Sequence, residues 1–266
     1  MYDRFNRQIS YLRVSVTDRC NLRCIYCMPA EGVKSIPHEE IMRYEEIVEV
    51  VKAGVALGIH KVRITGGEPL VRKGIVDLVR MLAAIEGVEE LAMTTNGTLL
   101  ERYAGALADV GLKRVNISLD AADPERYRAI TRGGNVRDVY KGIKAAREAG
   151  LEPIKINCVV INSSGEKDAR EVRAFCLENA LEVRFIHQMN LSNGTFSIVE
   201  GGNGGHCNSC NRLRLTSDGK IKPCLFNDLA FDVRTLGARR ALEMAVEMKP
   251  ERGVRSVTGT FYGIGG

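Results

Sequence analysis

Leu12-Arg13-Val14-Ser15-Val16-Thr17-Asp18-Arg19-Cys20-Asn21-Leu22-Arg23-Cys24-Ile25-Tyr26-Cys27 is the stretch on which the reading of this 266-residue chain turns. Residues 12–16 form a short run with valine at alternate positions, bounded by Thr17 and Asp18, and they read as a β-strand. The strand runs straight into a loop whose cysteines are spaced C-x3-C-x2-C. Three thiolates on one short loop can hold three irons of a cubane, which leaves the fourth iron open to a small molecule. A structural zinc site would want a fourth ligand, and three buried cysteines are the plainest alternative.

Outward from this stretch the chain alternates. Runs at 62–65, 91–95, 115–119, 154–160 and 183–186 read as strands, and stretches with helical spacing lie at 44–57, 73–84, 99–110, 124–130, 136–149 and 167–179. Gly58, Gly111 and Gly150 stand where helices with a left-handed cap residue end. Six strand-helix repeats imply an α/β fold with parallel strands and right-handed crossovers, as an incomplete barrel or a doubly wound sheet. In both, chemistry sits at the C-terminal ends of the strands. Residues 190–205 change to Ser, Asn and Gly and read as a linker, followed by a cysteine-containing segment, a helix at 238–248 and a Gly-rich tail.

Composition narrows the function classes. A hydrophobic fraction of 45% and a charged fraction of 27% are those of a globular protein, and no apolar run approaches the roughly 20 residues that span a bilayer. The net charge of +5 is scattered, so no dedicated nucleic-acid surface is expected, while a local basic pocket for a phosphorylated molecule stays open. Residues 1–10 lack the apolar run of a signal peptide, and a cytoplasmic location with reduced thiols is expected. Six of the eight cysteines then fall into two groups that look like metal-ligand sets.

Two further motifs carry chemistry. Arg63-Ile64-Thr65-Gly66-Gly67-Glu68-Pro69 ends the second strand, and its paired glycines let the main chain approach a ligand closely. Thr94-Thr95-Asn96-Gly97 and Ser118-Leu119-Asp120 end the third and fourth strands; helix capping accounts for such residues as readily as ligand contact. Near the other end, Cys207-Asn208-Ser209-Cys210-Asn211-Arg212-Leu213-Arg214-Leu215 leads into a hairpin, with Cys224 beyond it. These are again three thiolates, and His206 would complete a zinc site as the alternative. Cys158 and Cys176 read as buried strand and helix residues.

The cysteine loop with Gly66-Gly67-Glu68-Pro69 closely resembles the radical S-adenosylmethionine (SAM) superfamily. Arg13, Cys27-Met28-Pro29, the run 61–70, Lys155-Ile156-Asn157-Cys158-Val159, Arg184-Phe185-Ile186 and the run 210–215 narrow the resemblance to the molybdenum cofactor biosynthesis protein A family, the GTP 3',8-cyclases. That resemblance implies an incomplete (βα)6 TIM-like barrel with a small C-terminal iron-sulfur segment. It implies two [4Fe-4S] clusters, on Cys20, Cys24 and Cys27 and on Cys207, Cys210 and Cys224. SAM would chelate the open iron of the first and be lined by Tyr26, Gly66, Gly67, Glu68, Pro69, Ser118 and Met189. GTP would bind the second cluster through its purine. Arg13, Arg63, Lys155, Arg184, Arg212, Leu213 and Arg214 would hold it, with Thr94 near the nucleotide, and Arg13, Arg63, Arg212 and Arg214 would also act in catalysis. A 5'-deoxyadenosyl radical would take the ribose 3' hydrogen, and the sugar radical would add to guanine C8. Implied partners are an electron donor and, as a compatible assembly, a second copy in a homodimer; neither membrane nor nucleic acid is expected.

The expected division is a radical SAM core over residues 1–189 and a second-cluster segment over 190–266, ending in Gly265-Gly266, similar to the family's double-glycine tail. Two departures bear on the substrate. Only residues 190–206 separate Met189 from Cys207, where the family carries several dozen, and His187 stands where the family has Glu. A radical SAM maturase acting on a peptide or another small molecule, and a non-catalytic iron-sulfur carrier or redox sensor, are the competing readings.

Overall fold

The computed structural model describes residues 1–258 and 261–264. Strands β1 (Tyr11–Ser15), β2 (Lys61–Thr65), β3 (Glu90–Thr95), β4 (Arg114–Ser118), β5 (Lys155–Val160) and β6 (Glu182–His187) pair as parallel neighbours in unbroken chain order. Helices α1 (Tyr44–Ala56), α2 (Ile75–Ala83), α3 (Leu100–Asp109), α4 (Pro124–Thr131), α5 (Val136–Glu148) and α6 (Lys167–Glu178) form the crossovers. A doubly wound sheet reverses its strand order at a switch point; here the order runs straight from β1 to β6, which selects the incomplete barrel.

Alternation along each strand separates two environments. Leu12 and Val14 of β1 are fully buried in the main core, whereas Arg13 between them lines a cavity. The helices complete that core from one face: α1 buries Ile47, Val48, Val50 and Val51, and α5 buries Val136, Val139, Ile143 and Ala146. Gly58, Gly111 and Gly150 adopt positive φ after their helices, as expected of cap positions.

The C-terminal segment extends the same sheet. Strand β7 (Arg212–Leu215) pairs parallel with the free side of β1, and β8 (Lys220–Lys222) and β9 (Phe231–Asp232) follow as antiparallel neighbours. The order is β6-β5-β4-β3-β2-β1-β7-β8-β9, with β6 and β9 at the edges. Helices α7 (Val233–Leu236) and α8 (Ala238–Glu247) follow, and α8 packs on α1.

Residues 190–206 fold back as a strap, with bridges Asn190 to Thr195 and Phe185 to Glu200 that place it along β6. Leu191 of the strap, Leu225, Phe226 and Ile264 of α9 (Phe261–Ile264) form a second small core. Gly265 and Gly266, the expected double-glycine tail, lie outside the described residues. Among the described residues no helix is long and apolar enough to cross a membrane.

Candidate active site: two thiol-lined cavities

The first cavity opens at the C-terminal ends of the strands. Its volume is about 190 Å³, and Cys20, Cys24 and Cys27 line it together with Tyr26, Gly66, Gly67, Thr94, Ser118 and Met189. Backbone packing builds it. The Gly67 amide donates to Thr17 O at 2.7 Å and the Glu68 amide to Arg19 O at 2.8 Å, so the glycine pair lies flat on the cysteine loop. A Cβ on Gly67 would stand 2.3 Å from Arg19 O, and one on Gly66 2.6 Å from Thr17 O; only glycine permits that approach.

Carboxylates under the rim fix the loop. The buried Glu68 accepts from Leu70 N at 3.0 Å, Thr95 Oγ1 at 2.7 Å and Asn96 N at 2.6 Å. Its carboxyl is pushed up to about 7 by burial, against the pull of those bonds. Glu68 and Pro69 do not line the cavity; both are buried, and Glu68 ties the ends of β2 and β3 together. Glu68 thus supports the glycine pair from beneath.

Burial, the Asp120 carboxylate and the neighbouring thiols push Cys24 up to about 12, and burial and Cys20 push Cys27 up to about 11. Such thiols ionise when iron takes the proton's place. Among the described residues no three His, Cys, Asp or Glu side chains come together as a single metal ion would require. A cubane, with one thiolate to each of three irons, fits the first set better than zinc does.

The second cavity, about 200 Å³, joins Cys207, Cys210 and Cys224 to a basic wall of Arg13, Arg63, Arg184, Arg212 and Arg214, with Met189 at its border with the first. Strand register makes the wall: Arg214 of β7, Arg13 of β1 and Arg63 of β2 stand side by side. Burial and the neighbouring arginines, Arg214 foremost, push Arg13 well down, and burial with Arg212 pushes Arg214 down to about 10. A guanidinium stays charged in such surroundings, so the crowding measures how strongly the cavity favours an anion. Among the described residues the buried Nε atoms of Arg63 and Arg184 have no hydrogen-bond partner, and neither has Thr94 Oγ1 in the first cavity.

The Radical SAM superfamily profile matches residues 14–176, more than half of the chain, and the Molybdenum Cofactor Synthesis C profile matches residues 166–252. The GTP 3',8-cyclase of Thermodesulfovibrio yellowstonii is 41% identical, with 94% of this chain and 95% of the relative covered. The chain belongs to the GTP 3',8-cyclase family of radical SAM enzymes. Further GTP 3',8-cyclases of the family, from Petrotoga mobilis and Peptoclostridium acidaminophilum, are 41% identical (94% of each chain) and 44% identical (88% of this chain, 85% of the relative). The first alignment spans 305 positions, more than this chain's 266 residues, so that relative carries residues without counterpart here. Two solved structures share the fold. The peptide-bound anSMEcpe with AdoMet has a TM-score of 0.63 at 17% identity, covering 91% of this chain and 81% of that one. Streptococcus suis SuiB bound to S-adenosylmethionine has 0.54 at 20%, covering 69% and 41%. As a radical SAM family member, the chain works with a [4Fe-4S] cluster and SAM, and its first cavity offers the donor set for both.

Three substrate expectations need restating. Lys155 pairs with Glu182 at 2.6 Å at the start of β5 and lies outside both cavity walls. The Leu213 side chain is in the core, on the face opposite Arg212 and Arg214. Thr94 lines the first cavity and not the second. Conversely, Asn116, Asn157, Phe196 and Lys249 line the second cavity without having been singled out. Period-two reading finds Asn157, two residues after Lys155; nothing local marks Lys249.

Proposed function

We propose that this family member acts on GTP, joining ribose C3' to guanine C8, with SAM over the first cysteine group and a second [4Fe-4S] cluster on Cys207, Cys210 and Cys224. The carrying observation is the basic wall. Arg214, Arg13 and Arg63 stand in register, flanked by Arg184 and Arg212, in a cavity that runs from one cysteine set toward the other. Guanidinium forks match phosphate oxygens in bidentate geometry, and the buried, unpartnered Nε of Arg63 and Arg184 are donors awaiting acceptors. Met189, shared by both cavities, marks where the sugar would meet the SAM-derived radical.

When bound, the first cluster supplies one electron that cleaves SAM and yields the hydrogen-abstracting radical. The chain's own residues do the rest. Gly66 and Gly67 bring backbone against SAM, Tyr26 and Ser118 wall its site, and the arginines hold the triphosphate so that the ribose cannot turn away. Residues 1–189 supply the SAM chemistry and, through Arg13, Arg63 and Arg184, part of the basic wall; residues 190–266 supply the second cysteine group with Arg212 and Arg214. An external electron donor reduces the cluster, and the eight free cysteines suit the reducing cytoplasm.

A peptide-modifying paralogue is the second reading, favoured by the short strap and by His187 in the first cavity wall. Calorimetric titration of the reconstituted protein separates the two. GTP should bind, guanosine should bind at least ~10-fold more weakly for want of the charge-assisted phosphate contacts, and R63A should remove most of that preference. Equal binding of GTP and guanosine would rule against GTP as the substrate.

A further inference from the structure

Lys249 follows α8 and is buried, 2% exposed. Its ammonium donates to Arg212 O at 2.7 Å and to Pro223 O at 2.6 Å, and it lines the second cavity together with Cys207, Cys210 and Cys224. Arg212 lies two residues after Cys210, and Pro223 immediately precedes Cys224, so one side chain joins two of the three cysteine segments. The third is tied to the same stretch by Arg7, which donates to Cys207 O and Glu251 O at 2.8 Å and to Pro250 O at 2.7 Å. Gly253 brings this stretch over Cys224: a Cβ there would lie 3.1 Å from the sulfur.

The two cations differ in one respect. Arg7 is paired with Asp3 at 2.6 Å, whereas Lys249 has no ion pair with a carboxylate among the described residues, and the anionic groups acting on it most strongly are Cys210 and Cys224. An ammonium buried without a counter-ion is costly, so a structure that keeps one is built for an anion. Two of its three protons are committed to the carbonyls of Arg212 and Pro223, which flank Cys210 and Cys224 in the chain, so the ammonium is held at the cysteines. That placement points to the anion: an iron-sulfur core held by three thiolates carries net negative charge.

We propose that Lys249 is the counter-charge of the second cluster, compensating the anionic iron-thiolate centre and, through its positive charge in the same cavity wall, holding that centre's reduction potential up. This rests on the second-cluster reading. Net charge is one of the protein's levers on cluster potential, and Lys249 supplies it; it is a positioning and tuning residue.

The test uses the full chain carrying C20A, C24A and C27A, reconstituted without oxygen so that only the second site is loaded, with iron analysis and an EPR-monitored redox titration. This parent must first be shown to bind iron; a folded parent that binds none would sink the second-cluster reading itself, before Lys249 is touched. K249M, K249Q and K249R are then compared, with far-UV circular dichroism to confirm folding. The expected result is a potential shifted to more negative values in K249M and K249Q and near the parent's in K249R. Iron lost from folded K249M and K249Q but kept by K249R supports the proposal equally. An unshifted potential in K249M or K249Q, or the same iron loss in K249R as in the uncharged variants, would overturn it.

Discussion

Tyr26 donates its phenol hydrogen to Asp120 Oδ2 at 2.7 Å, and through that bond the cysteine loop is held to the end of β4. The other carboxylate oxygen accepts from Val159 N at 2.8 Å, so Asp120 clamps the loop, β4 and β5 at once. The sequence pattern left Asp120 open between capping and ligand contact; geometry makes it the support beneath the SAM-lining Tyr26.

Y26F should therefore destabilise the iron-free protein by about 1–3 kcal/mol, because it strands a buried acceptor. D120N should cost less, since its amide can turn to donate to the phenol oxygen while its carbonyl still accepts from Val159. Urea denaturation of both variants checks the order; equal losses would show that the phenol-carboxylate bond is not what holds the loop.

Glu68 makes stability depend on pH. Its folded value of about 7 lies above the ordinary glutamate value of 4.5, so the folded state binds the extra proton between those values. Stability from this group is present below about pH 4.5 and is lost as pH rises through about 7, by ~3 kcal/mol in all. The stability difference between wild type and E68Q should shrink across that window. Denaturant unfolding at pH 5 and pH 8 measures it, and a constant difference would mean that the Thr95 and Asn96 bonds already offset the cost of burial.

Two glycines should respond oppositely to alanine. Gly67 faces Arg19 O at contact distance, whereas nothing lies within 4 Å of a Cβ built on Gly105, on the exposed side of α3. G67A should cost at least ~1–3 kcal/mol and deprive the first site of iron. G105A should gain roughly 0.5–1 kcal/mol. Thermal melts with iron analysis report both effects.

Replacing all three cysteines of either group should leave roughly half of the reconstituted iron. Retention of all the iron after loss of Cys207, Cys210 and Cys224 would confine the chain to one cluster.

The barrel was legible because its core strands carry their own signal. Leu12 and Val14 against Arg13 already separate core from cavity, and the helix ends are marked by Gly58, Gly111 and Gly150. The cysteine groups were legible for the same reason, since their spacing is local. What escaped was made by tertiary distance. The support that Glu68 gives the loop depends on Thr95 and Asn96, 27 and 28 residues on. The run 154–160 already places Lys155 at the start of a strand, but its partner Glu182 comes from the neighbouring strand and is not visible locally. Lys249 meets Arg212 and Pro223 only because α8 returns the chain to the cysteine hairpin, and no periodicity announces that.

The most direct test is SAM cleavage by the anaerobically reconstituted, dithionite-reduced protein, with and without GTP deuterated at the ribose 3' position. The expected result is 5'-deoxyadenosine formation that depends on GTP and carries the deuterium. Cleavage that ignores GTP, or 5'-deoxyadenosine without the label, would contradict it.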